Sequence, residues 1–386
     1  MKVRPGRTNQ VLPVTQLCGA ASITFDCLNV NMAVNPLAII EDTGVPAGAE
    51  RTHKTLVLIH GLAFQSTVFT RMLPYARTHS ARIILVNRRG YPGAEPFTRD
   101  ERDVLSKAQG GDALAAGAAK DWWTVRAEEV LSLLESIVEK GDVPPRSIIL
   151  AGWSYAGLWM TALLSLPPQH TTGRVDVGQY VRRVICYDSS YRRLGLPEPA
   201  IPMFSPFTDI SIAPEDKRAA FIHWITGYYS HAIPHAPAIH ASSIVSGLEQ
   251  RHPNTNTPLN TDELNFVMFN PPADVPTGGA DILASSAAGK HGLPHMYLEG
   301  ALRGECWPHV ELRAVWGDAS FWEACVGGVG FGRLVQEDKE TLMGKISRPA
   351  SAVRWIGANH FAHWDYPERT LLGLLEDGEG DWTVTS

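Results

Sequence analysis

Short, almost uninterrupted runs of apolar residues alternate along the chain with longer segments that have helical spacing. Three of these runs occupy residues 55–59, 82–86 and 148–151. A strand that is apolar at nearly every position is typical of a parallel sheet covered on both faces, because neither of its sides meets water. The helical segments supply the crossovers that parallel strands require. The pattern therefore predicts a doubly wound α/β fold with a mostly parallel sheet.

The remaining elements continue this alternation. Further strands are predicted at residues 181–187, 310–316 and 351–356, with weaker signals at 23–30 and 36–41. Helices are predicted at residues 66–78, 120–140, 155–166 and 367–375. In the clearest of them, apolar residues recur three or four positions apart from Trp123 to Ile137, which is one face of an amphipathic helix. Residues 110–119, rich in Ala and Gly, are interpreted as a loop.

One long interval breaks the alternation. Residues 191–307 are rich in Pro, His and aromatic residues, and they contain one predicted helix at 214–229. More than a hundred residues between two sheet strands need structure of their own, so a helical lid inserted before the penultimate strand is the simplest explanation. The predicted organisation is a first part of the core at 1–190, the lid at 191–307 and a second part of the core at 308–386.

Composition excludes several classes of protein. The 386 residues are 44% hydrophobic and 19% charged, which predicts a sizeable core rather than disorder. A net charge of −6 gives no general attraction for nucleic acid. We see no secretory signal, no apolar run long enough for a membrane span and no C-terminal peroxisomal signal, so we expect a cytoplasmic protein.

Cysteine usage points the same way. The five cysteines are odd in number and widely scattered, which argues against a disulfide framework and against a paired-cysteine metal site. They are Cys18, Cys27, Cys186, Cys306 and Cys325. We expect reduced, buried thiols and neither a metal nor a cofactor.

Residues 148–157 read IILAGWSYAG, a buried run that stops at small residues around Ser154. A nucleophile at the end of a strand must turn abruptly into a helix, and the tight backbone needs small residues two positions before and after it. Gly152 and Ala156 meet this requirement. The helix that begins near Tyr155 points backbone N–H groups at the site, which favours negative charge there.

This strand, turn and helix resemble the α/β-hydrolase superfamily, and the resemblance covers residues 55–190 and 310 to the last helix. Ala156 replaces the final glycine of the G-x-S-x-G pattern. The resemblance implies that Ser154 is a nucleophile, followed in chain order by an acid and a histidine. Epoxide and haloalkane chemistry in this fold uses an aspartate nucleophile, so a serine argues against those reactions.

The segment WIGANHFAHWDYPE at residues 355–368 resembles the superfamily's terminal histidine loop. The resemblance implies that His360 is the general base. His363 is the competitor and fits the spacing less well.

For the acid, Asp318 follows the predicted penultimate strand, where the resemblance implies that it orients the imidazole and stabilises the imidazolium. A separation of 42 positions between Asp318 and His360 requires an excursion around residues 327–344. Asp188, directly after the predicted strand 181–187, is the fallback acid.

The sequence His60-Gly61-Leu62 follows a predicted strand and resembles the superfamily's His-Gly oxyanion loop. The resemblance implies that the backbone N–H groups of Leu62 and Tyr155 hold the oxyanion of a tetrahedral intermediate. The loop at residues 87–91 is interpreted as structural.

Two groups of residues in the predicted lid have more than one interpretation. Four histidines in this segment suggest a metal site. Pro234, however, interrupts any helix that would align them. They are His223, His231, His235 and His240. A group of aromatic residues with helical spacing forms either lid core or a pocket wall. It comprises Phe221, Trp224, Tyr228 and Tyr229.

The sequence therefore predicts a cofactor-independent serine hydrolase that cleaves an ester, thioester or lactone. By analogy with lidded hydrolases, an aromatic lid favours an apolar, medium-sized acyl substrate such as a secondary metabolite. The same triad also catalyses acyl transfer and C–C cleavage. A hydrolase-like binding protein, or a non-hydrolytic catalyst of cyclisation using the same cavity, is the alternative.

Overall fold

A mostly parallel sheet forms the centre of the protein, as the apolar runs predict. The structure is a computed structural model that describes residues 36–171, 175–199, 203–232, 247–269, 279–341, 344 and 346–384. Within these residues the sheet has eight strands: β1 (Ala38–Asp42), β2 (Lys54–Ile59), β3 (Ala81–Asn87), β4 (Ile148–Trp153), β5 (Val181–Tyr187), β8 (Glu311–Gly317), β9 (Ala350–Ile356) and β10 (Trp382–Thr383). A small separate pair consists of β6 (Gly227–Tyr228) and β7 (Thr255–Asn256). The strand predicted at 23–30 lies outside the described residues.

The strands pair in the order β1-β3-β2-β4-β5-β8-β9-β10. The edge strand β1 is antiparallel to β3, and the other neighbours are parallel. Ile59 pairs with Gly152, Gly152 pairs with Cys186, and Cys186 pairs with Ala314. This register brings the carboxyl ends of β2, β4, β5 and β8 to one edge of the sheet, which is where open α/β sheets bind ligands.

Alternate residues of each central strand contribute to opposite faces of the sheet. In β2, Val57 and Ile59 belong to one buried apolar cluster, and Leu56 and Leu58 belong to the other. All four side chains are completely buried, and burial of each stabilises the fold by about 1.5–3 kcal/mol. The nearly continuous apolar pattern therefore reflects a sheet covered on both sides.

Helices cover both faces. They are α1 (Arg99–Lys107), α2 (Ala113–Glu139), α3 (Gly157–Leu164), α4 (Lys217–Ile225), α5 (Thr261–Val267), α6 (Ala280–Lys290), α7 (Leu293–Arg303), α8 (Trp322–Thr341), α9 (Ala362–Asp365) and α10 (Pro367–Leu375). The segment predicted as a helix at 66–78 is a 3-10 helix at Ser66–Tyr75 that contains Pro74. Long α8 accounts for the separation between Asp318 and His360.

The interpretation of residues 110–119 as a loop is wrong, because α2 begins at Ala113. The Asp112 side chain accepts a hydrogen bond from the Ala115 N–H at 2.8 Å and caps the helix. The preceding helix α1 carries a capping box between Thr98 and Glu101. That pattern, Thr followed by Glu three residues later, is the sequence signal that would have predicted α1.

The interval between β5 and β8 contains α4, α5, α6 and α7 together with the β6–β7 pair. Ala284 and Ala287 of α6 and Leu298 of α7 belong to the same buried cluster as residues of α2 and α3. These two helices therefore pack on the helical layer of the sheet, and the boundaries of a lid at 191 and 307 stay a prediction. No described helix is long and apolar enough to cross a membrane.

Candidate active site

Ser154 occupies a sharp turn between β4 and the helix that follows. Its φ is +57°, a left-handed conformation that is uncommon for residues other than glycine. The turn leaves no room two residues earlier, since a Cβ atom added to Gly152 would lie 2.6 Å from the carbonyl oxygen of Ala156. The small residues around Ser154 are thus a steric requirement of this turn, as the sequence predicts.

A narrow cavity of about 80 Å³ opens at Ser154. His360 and the residues expected to supply oxyanion donors, Leu62 and Tyr155, also line it. Most of the remaining wall is aromatic or aliphatic. It includes Phe64, Phe221, Trp224, Ile225 and Phe321. The cavity is therefore apolar around a few polar groups, which is typical of small-molecule sites.

Two aromatic contacts and one backbone hydrogen bond hold His360 in place. Its ring stacks on the Trp153 indole with ring centroids 4.6 Å apart, and the edge of Phe321 packs against it. Trp153 Nε1–H donates to the carbonyl oxygen of His360 at 3.1 Å. Because Trp153 directly precedes Ser154, this contact ties the serine turn to the histidine loop.

The partner of His360 is Asp188, and their Nδ1 and Oδ2 atoms lie 2.6 Å apart. Asp188 is completely buried directly after β5. It also accepts hydrogen bonds from the Gly317 N–H at 2.8 Å and from the Ser320 hydroxyl at 2.5 Å. A carboxylate is an acceptor only, so His360 Nδ1 carries the proton and leaves Nε2 with a free lone pair.

The prediction that Asp318 contacts His360 is wrong. Asp318 Oδ2 accepts hydrogen bonds from Nε and Nη2 of Arg354, and its Oδ1 accepts one from the Gly357 N–H at 2.8 Å. Both oxygens are therefore occupied by β9 and the turn after it. Asp318 fixes the backbone that leads to His360, and the fallback residue Asp188 takes the place beside the imidazole.

His363, the competitor of His360, lies in an aromatic enclosure. Its Nδ1 is 3.2 Å from the Tyr187 hydroxyl, and its ring packs against Phe69 and Trp153. Burial, with a smaller effect of nearby His360, lowers the pKa of His363 well below its ordinary value. A neutral, enclosed ring of this kind fits a structural role.

The loop His60-Gly61-Leu62 presses directly on the serine turn. A Cβ atom added to Gly61 would lie 2.9 Å from Ser154 Cβ and 3.3 Å from Ser154 Oγ. Only glycine permits this approach between the loop and the nucleophile candidate. The contact supports the expectation that the Leu62 N–H faces the same reacting centre as Ser154.

Arg88 and His60 hold the shape of this loop. The backbone N–H of Arg88 donates to His60 Nε2 at 3.0 Å, so His60 Nδ1 carries the proton and donates to the Gly61 carbonyl oxygen. Burial, together with the nearby charge of Arg88, lowers the pKa of His60 well below its ordinary value. Arg88 itself donates to the carbonyl oxygens of His60 and Gly61 at 3.1 and 2.9 Å.

Asp281, the second residue of α6, anchors Arg88 and also reaches the serine turn. Its carboxylate oxygens are both 2.7 Å from Arg88 nitrogens, in a bidentate ion pair. The Tyr91 hydroxyl donates to the same carboxylate, and the Tyr155 hydroxyl donates to the Asp281 carbonyl oxygen at 2.6 Å. One residue from the predicted lid therefore connects both segments that carry the expected oxyanion donors.

The segment after β5 also supports the histidine loop. Asn359 Nδ2 donates to the Thr226 carbonyl oxygen at 3.0 Å and to the Thr257 hydroxyl at 2.9 Å.

The aromatic group of this segment is divided between the two predicted roles. Phe221 and Trp224 line the cavity, whereas the Tyr229 hydroxyl bonds to the Trp224 backbone.

Of the histidines of the predicted lid, His223 is exposed and His231 has partners other than a metal. His231 Nε2 lies 2.6 Å from the Ser320 carbonyl oxygen, and its Nδ1 accepts a hydrogen bond from the Glu249 N–H. His235 and His240 lie outside the described residues. In the described ranges no group of three His, Cys, Asp or Glu residues is arranged to hold a metal ion.

Sequence reasoning missed three residues of this site. The sequence analysis assigns no role to Trp153 or Asp281, and it interprets the loop that contains Arg88 as structural. An arginine immediately after a buried strand is a usable signal for Arg88, because a buried guanidinium needs a buried acid. No local pattern points to Asp281, whose partners are almost two hundred positions away.

Comparison with known proteins identifies the class of fold. A model of the Alpha/beta hydrolase family matches residues 56–371, so the chain belongs to this family. Among solved structures, a bromoperoxidase from Bacillus anthracis is 15% identical, with a TM-score of 0.45, 87% of this chain covered and 94% of the other.

Two further structures are similar. A thioesterase domain from the curacin biosynthetic pathway is 14% identical, with a TM-score of 0.40 and coverage of 84% and 91%. An epoxide hydrolase from an endophytic Streptomyces is 12% identical, with a TM-score of 0.41 and coverage of 86% and 92%. No curated protein matches the sequence.

Proposed function

We propose that the protein is a serine hydrolase that cleaves an ester, thioester or lactone of an apolar acyl substrate through an acyl-enzyme. The observation that carries the proposal is the 2.6 Å contact between His360 and Asp188 at the rim where Ser154 adopts its left-handed turn. A serine, an oriented imidazole and a buried carboxylate are the parts that activate a hydroxyl nucleophile.

In the first half of the reaction, Ser154 Oγ bonds to the carbonyl carbon of the substrate while His360 Nε2 takes the hydroxyl proton. The resulting oxyanion accepts hydrogen bonds from the N–H groups of Leu62 and Tyr155. Each such donor is worth about 3–4 kcal/mol of the activation barrier in an enzyme of this chemistry. Collapse of the intermediate breaks the bond to the leaving group, and the His360 proton moves to that group.

In the second half, water takes the place of the serine hydroxyl. His360 accepts a proton from the water, the water oxygen bonds to the acyl carbon, and the proton returns to Ser154 Oγ as the acid is released. Asp188 keeps the proton on Nδ1 and stabilises the imidazolium that forms in both halves. A serine in this position supports acyl chemistry over epoxide opening, which needs a carboxylate nucleophile.

The aromatic and aliphatic side chains that make up most of the wall support an apolar acyl group. The same arrangement would transfer the acyl group to an alcohol instead of water, and it is also compatible with a binding protein that turns over slowly. Family membership alone does not separate these functions, because unrelated activities share the fold.

A fluorophosphonate probe tests the proposal, since it labels only an activated serine. We expect stoichiometric labelling of the wild-type protein at Ser154 by mass spectrometry, none in Ser154→Ala, and full labelling in the control Ser165→Ala. Ser165 lies at the end of α3, where its hydroxyl bonds to the Ala162 carbonyl oxygen.

A panel of p-nitrophenyl esters of increasing acyl length, with thioesters and lactones, then measures the preferred substrate. Folded wild-type protein that takes no label and hydrolyses none of these compounds would favour the binding protein.

A further inference from the structure

The lining of the cavity includes charged side chains. Beside Ser154 and His360, its polar lining residues include Ser190, Arg193 and Glu323. Ser190 and Arg193 follow β5, and Glu323 lies in the first turn of α8. These side chains face a space that is otherwise apolar, and the proposed triad does not use them.

Arg193 is half-buried and has no carboxylate partner in the described part of the chain, whereas two buried arginines, Arg88 and Arg126, are paired with acids. Arg88 is paired with Asp281, and Arg126 is paired with Glu101 and Glu129. Within the described ranges, no acid lies within ion-pair distance of the Arg193 guanidinium. Its described contact is with the face of the Tyr155 ring, whose centroid is 4.8 Å from Cζ. Tyr155 adjoins Ser154, so this cation lies close to the nucleophile candidate.

Glu323 lines the same cavity, but its carboxyl group lies beyond ion-pair distance of the Arg193 guanidinium. Burial raises the pKa of the Glu323 carboxyl, against the opposing influence of Arg192, Arg193 and the Ser190 hydroxyl. Burial also lowers the pKa of Arg193, but a guanidinium remains charged at neutral pH.

An unpaired cation in a partly buried cavity is costly, and an anion that enters the cavity removes this cost. The guanidinium has a planar set of donors that matches a carboxylate in a bidentate manner. The Ser190 hydroxyl also lines the cavity, where it hydrogen-bonds with Glu323. The rest of the wall suits methylene groups.

We propose that Arg193 binds a carboxylate of the substrate, which makes the substrate a half-ester or half-thioester of an aliphatic dicarboxylic acid. Its reacting carbonyl lies at Ser154, its methylene chain lies against the apolar wall, and its free carboxylate lies at Arg193. The reaction of this substrate at Ser154 rests on the proposed function. The binding of its carboxylate at Arg193 does not.

The kinetic test compares substrates of equal length that differ only in the terminal group. Mono-p-nitrophenyl esters of adipic, pimelic and suberic acid are paired with the p-nitrophenyl esters of hexanoic, heptanoic and octanoic acid. We expect wild-type protein to prefer the half-ester at the best length by about tenfold or more in kcat/KM. Arg193→Met should abolish this preference, measured as the ratio of the kcat/KM values for the half-ester and the neutral ester in the same protein.

The matched control is Arg192→Met. The Arg192 side chain is exposed and paired with Glu198, and it is not among the described lining residues of the cavity. This variant should retain the preference. Arg193→Lys provides a second charged variant and should keep part of the preference, so a poorly folded Arg193→Met protein does not leave the question open.

Binding to Ser154→Ala separates this inference from the proposed hydrolysis. Calorimetry should show tighter binding of monomethyl adipate than of methyl hexanoate, and Arg193→Met in the same background should remove the difference. Selective binding without hydrolysis by the wild type would overturn the proposed function and support the carboxylate site. Hydrolysis of neutral esters with no preference, unchanged in Arg193→Met and Arg193→Lys, would overturn the carboxylate site alone.

Discussion

Asp188 and His360 are 172 residues apart in the chain, and their side chains lie 2.6 Å apart in the folded protein. Each follows a parallel strand, β5 for Asp188 and β9 for His360, and the intervening strand β8 pairs with both. The sheet therefore brings the two side chains to one edge. Ser320, just after β8, donates to the carboxylate oxygen that faces His360.

This arrangement predicts that substitutions of two aspartates reduce kcat to very different extents. Asp188→Asn should reduce kcat for a p-nitrophenyl ester by about 10³–10⁴, because the amide neither fixes the imidazole tautomer nor stabilises the imidazolium. Asp318→Asn should reduce it by less than about tenfold, since that side chain fixes the Gly357 turn instead. Thermal unfolding of both variants checks that each is folded. A larger loss of kcat in Asp318→Asn than in Asp188→Asn would contradict the assignment.

The sequence could not determine which of these two aspartates contacts His360. Both residues directly follow strands that sequence patterns predict, and both precede the histidine. Their distances from His360 depend on how each chain segment turns after its strand. Asp188 has a φ of +48° and Asp318 meets an arginine from β9, and neither fact is a property of the local sequence.

The strands, by contrast, could be predicted well because burial on both faces imposes a local rule. The prediction for β5 at 181–187 and for the last long helix at 367–375 agrees with the observed bounds. Gly152 and Ala156 were predictable for the same reason, since the turn around Ser154 is local. Asp281 was not, because its function in the site depends on contacts that only the fold creates.

Gly61 offers a test of the close approach between the oxyanion loop and Ser154. Gly61→Ala places a Cβ atom 2.9 Å from Ser154 Cβ, and both atoms belong to rigid backbone segments. We expect kcat/KM to fall by at least about 100-fold, because displacement of reacting groups by less than an ångström is costly.

Gly117→Ala is the matched control for this change. Gly117 lies in α2, and a Cβ atom there would meet nothing within 4 Å. This variant should keep its kcat/KM and gain about 0.5–1 kcal/mol in the free energy of unfolding, measured with urea. Full activity in Gly61→Ala would mean that the loop moves away from Ser154 without consequence.

Asp281 is expected to position the oxyanion loop through Arg88. Asp281→Asn removes the charge that neutralises a buried guanidinium, and breaking such a pair costs about 3–5 kcal/mol in the free energy of unfolding. Because Arg88 donates to the carbonyl oxygens of His60 and Gly61, kcat should fall while KM changes little.

The control for Asp281→Asn is Asp42→Asn. Asp42 forms a bidentate pair with Arg82 between β1 and β3, at the sheet edge away from β4. Asp42→Asn should lower the free energy of unfolding with no change of kcat. An equal loss of kcat in both variants would show that Asp281 acts through general stability only.

The stability of the protein is expected to depend on pH. His60 and His363 are buried, and burial lowers the pKa of each well below the ordinary value. In the unfolded chain both histidines take up a proton near pH 6.5. Below that pH the unfolded state binds more protons than the folded state, so the free energy of unfolding falls as pH falls. Each histidine contributes up to about 1.4 kcal/mol per pH unit.

His363→Phe isolates one of these contributions. A phenyl ring suits the enclosure formed by Phe69, Trp153 and Phe361, and it cannot be protonated. Urea unfolding of wild type and variant between pH 7.5 and 5.0 should give parallel curves above about pH 7. Below about pH 6.5 the wild-type free energy should fall more steeply, by up to about 1.4 kcal/mol per pH unit. Carboxyl groups with raised pKa values, such as Glu129, oppose this trend equally in both proteins. Identical slopes would show that His363 accepts its proton in the folded state, which its burial should prevent.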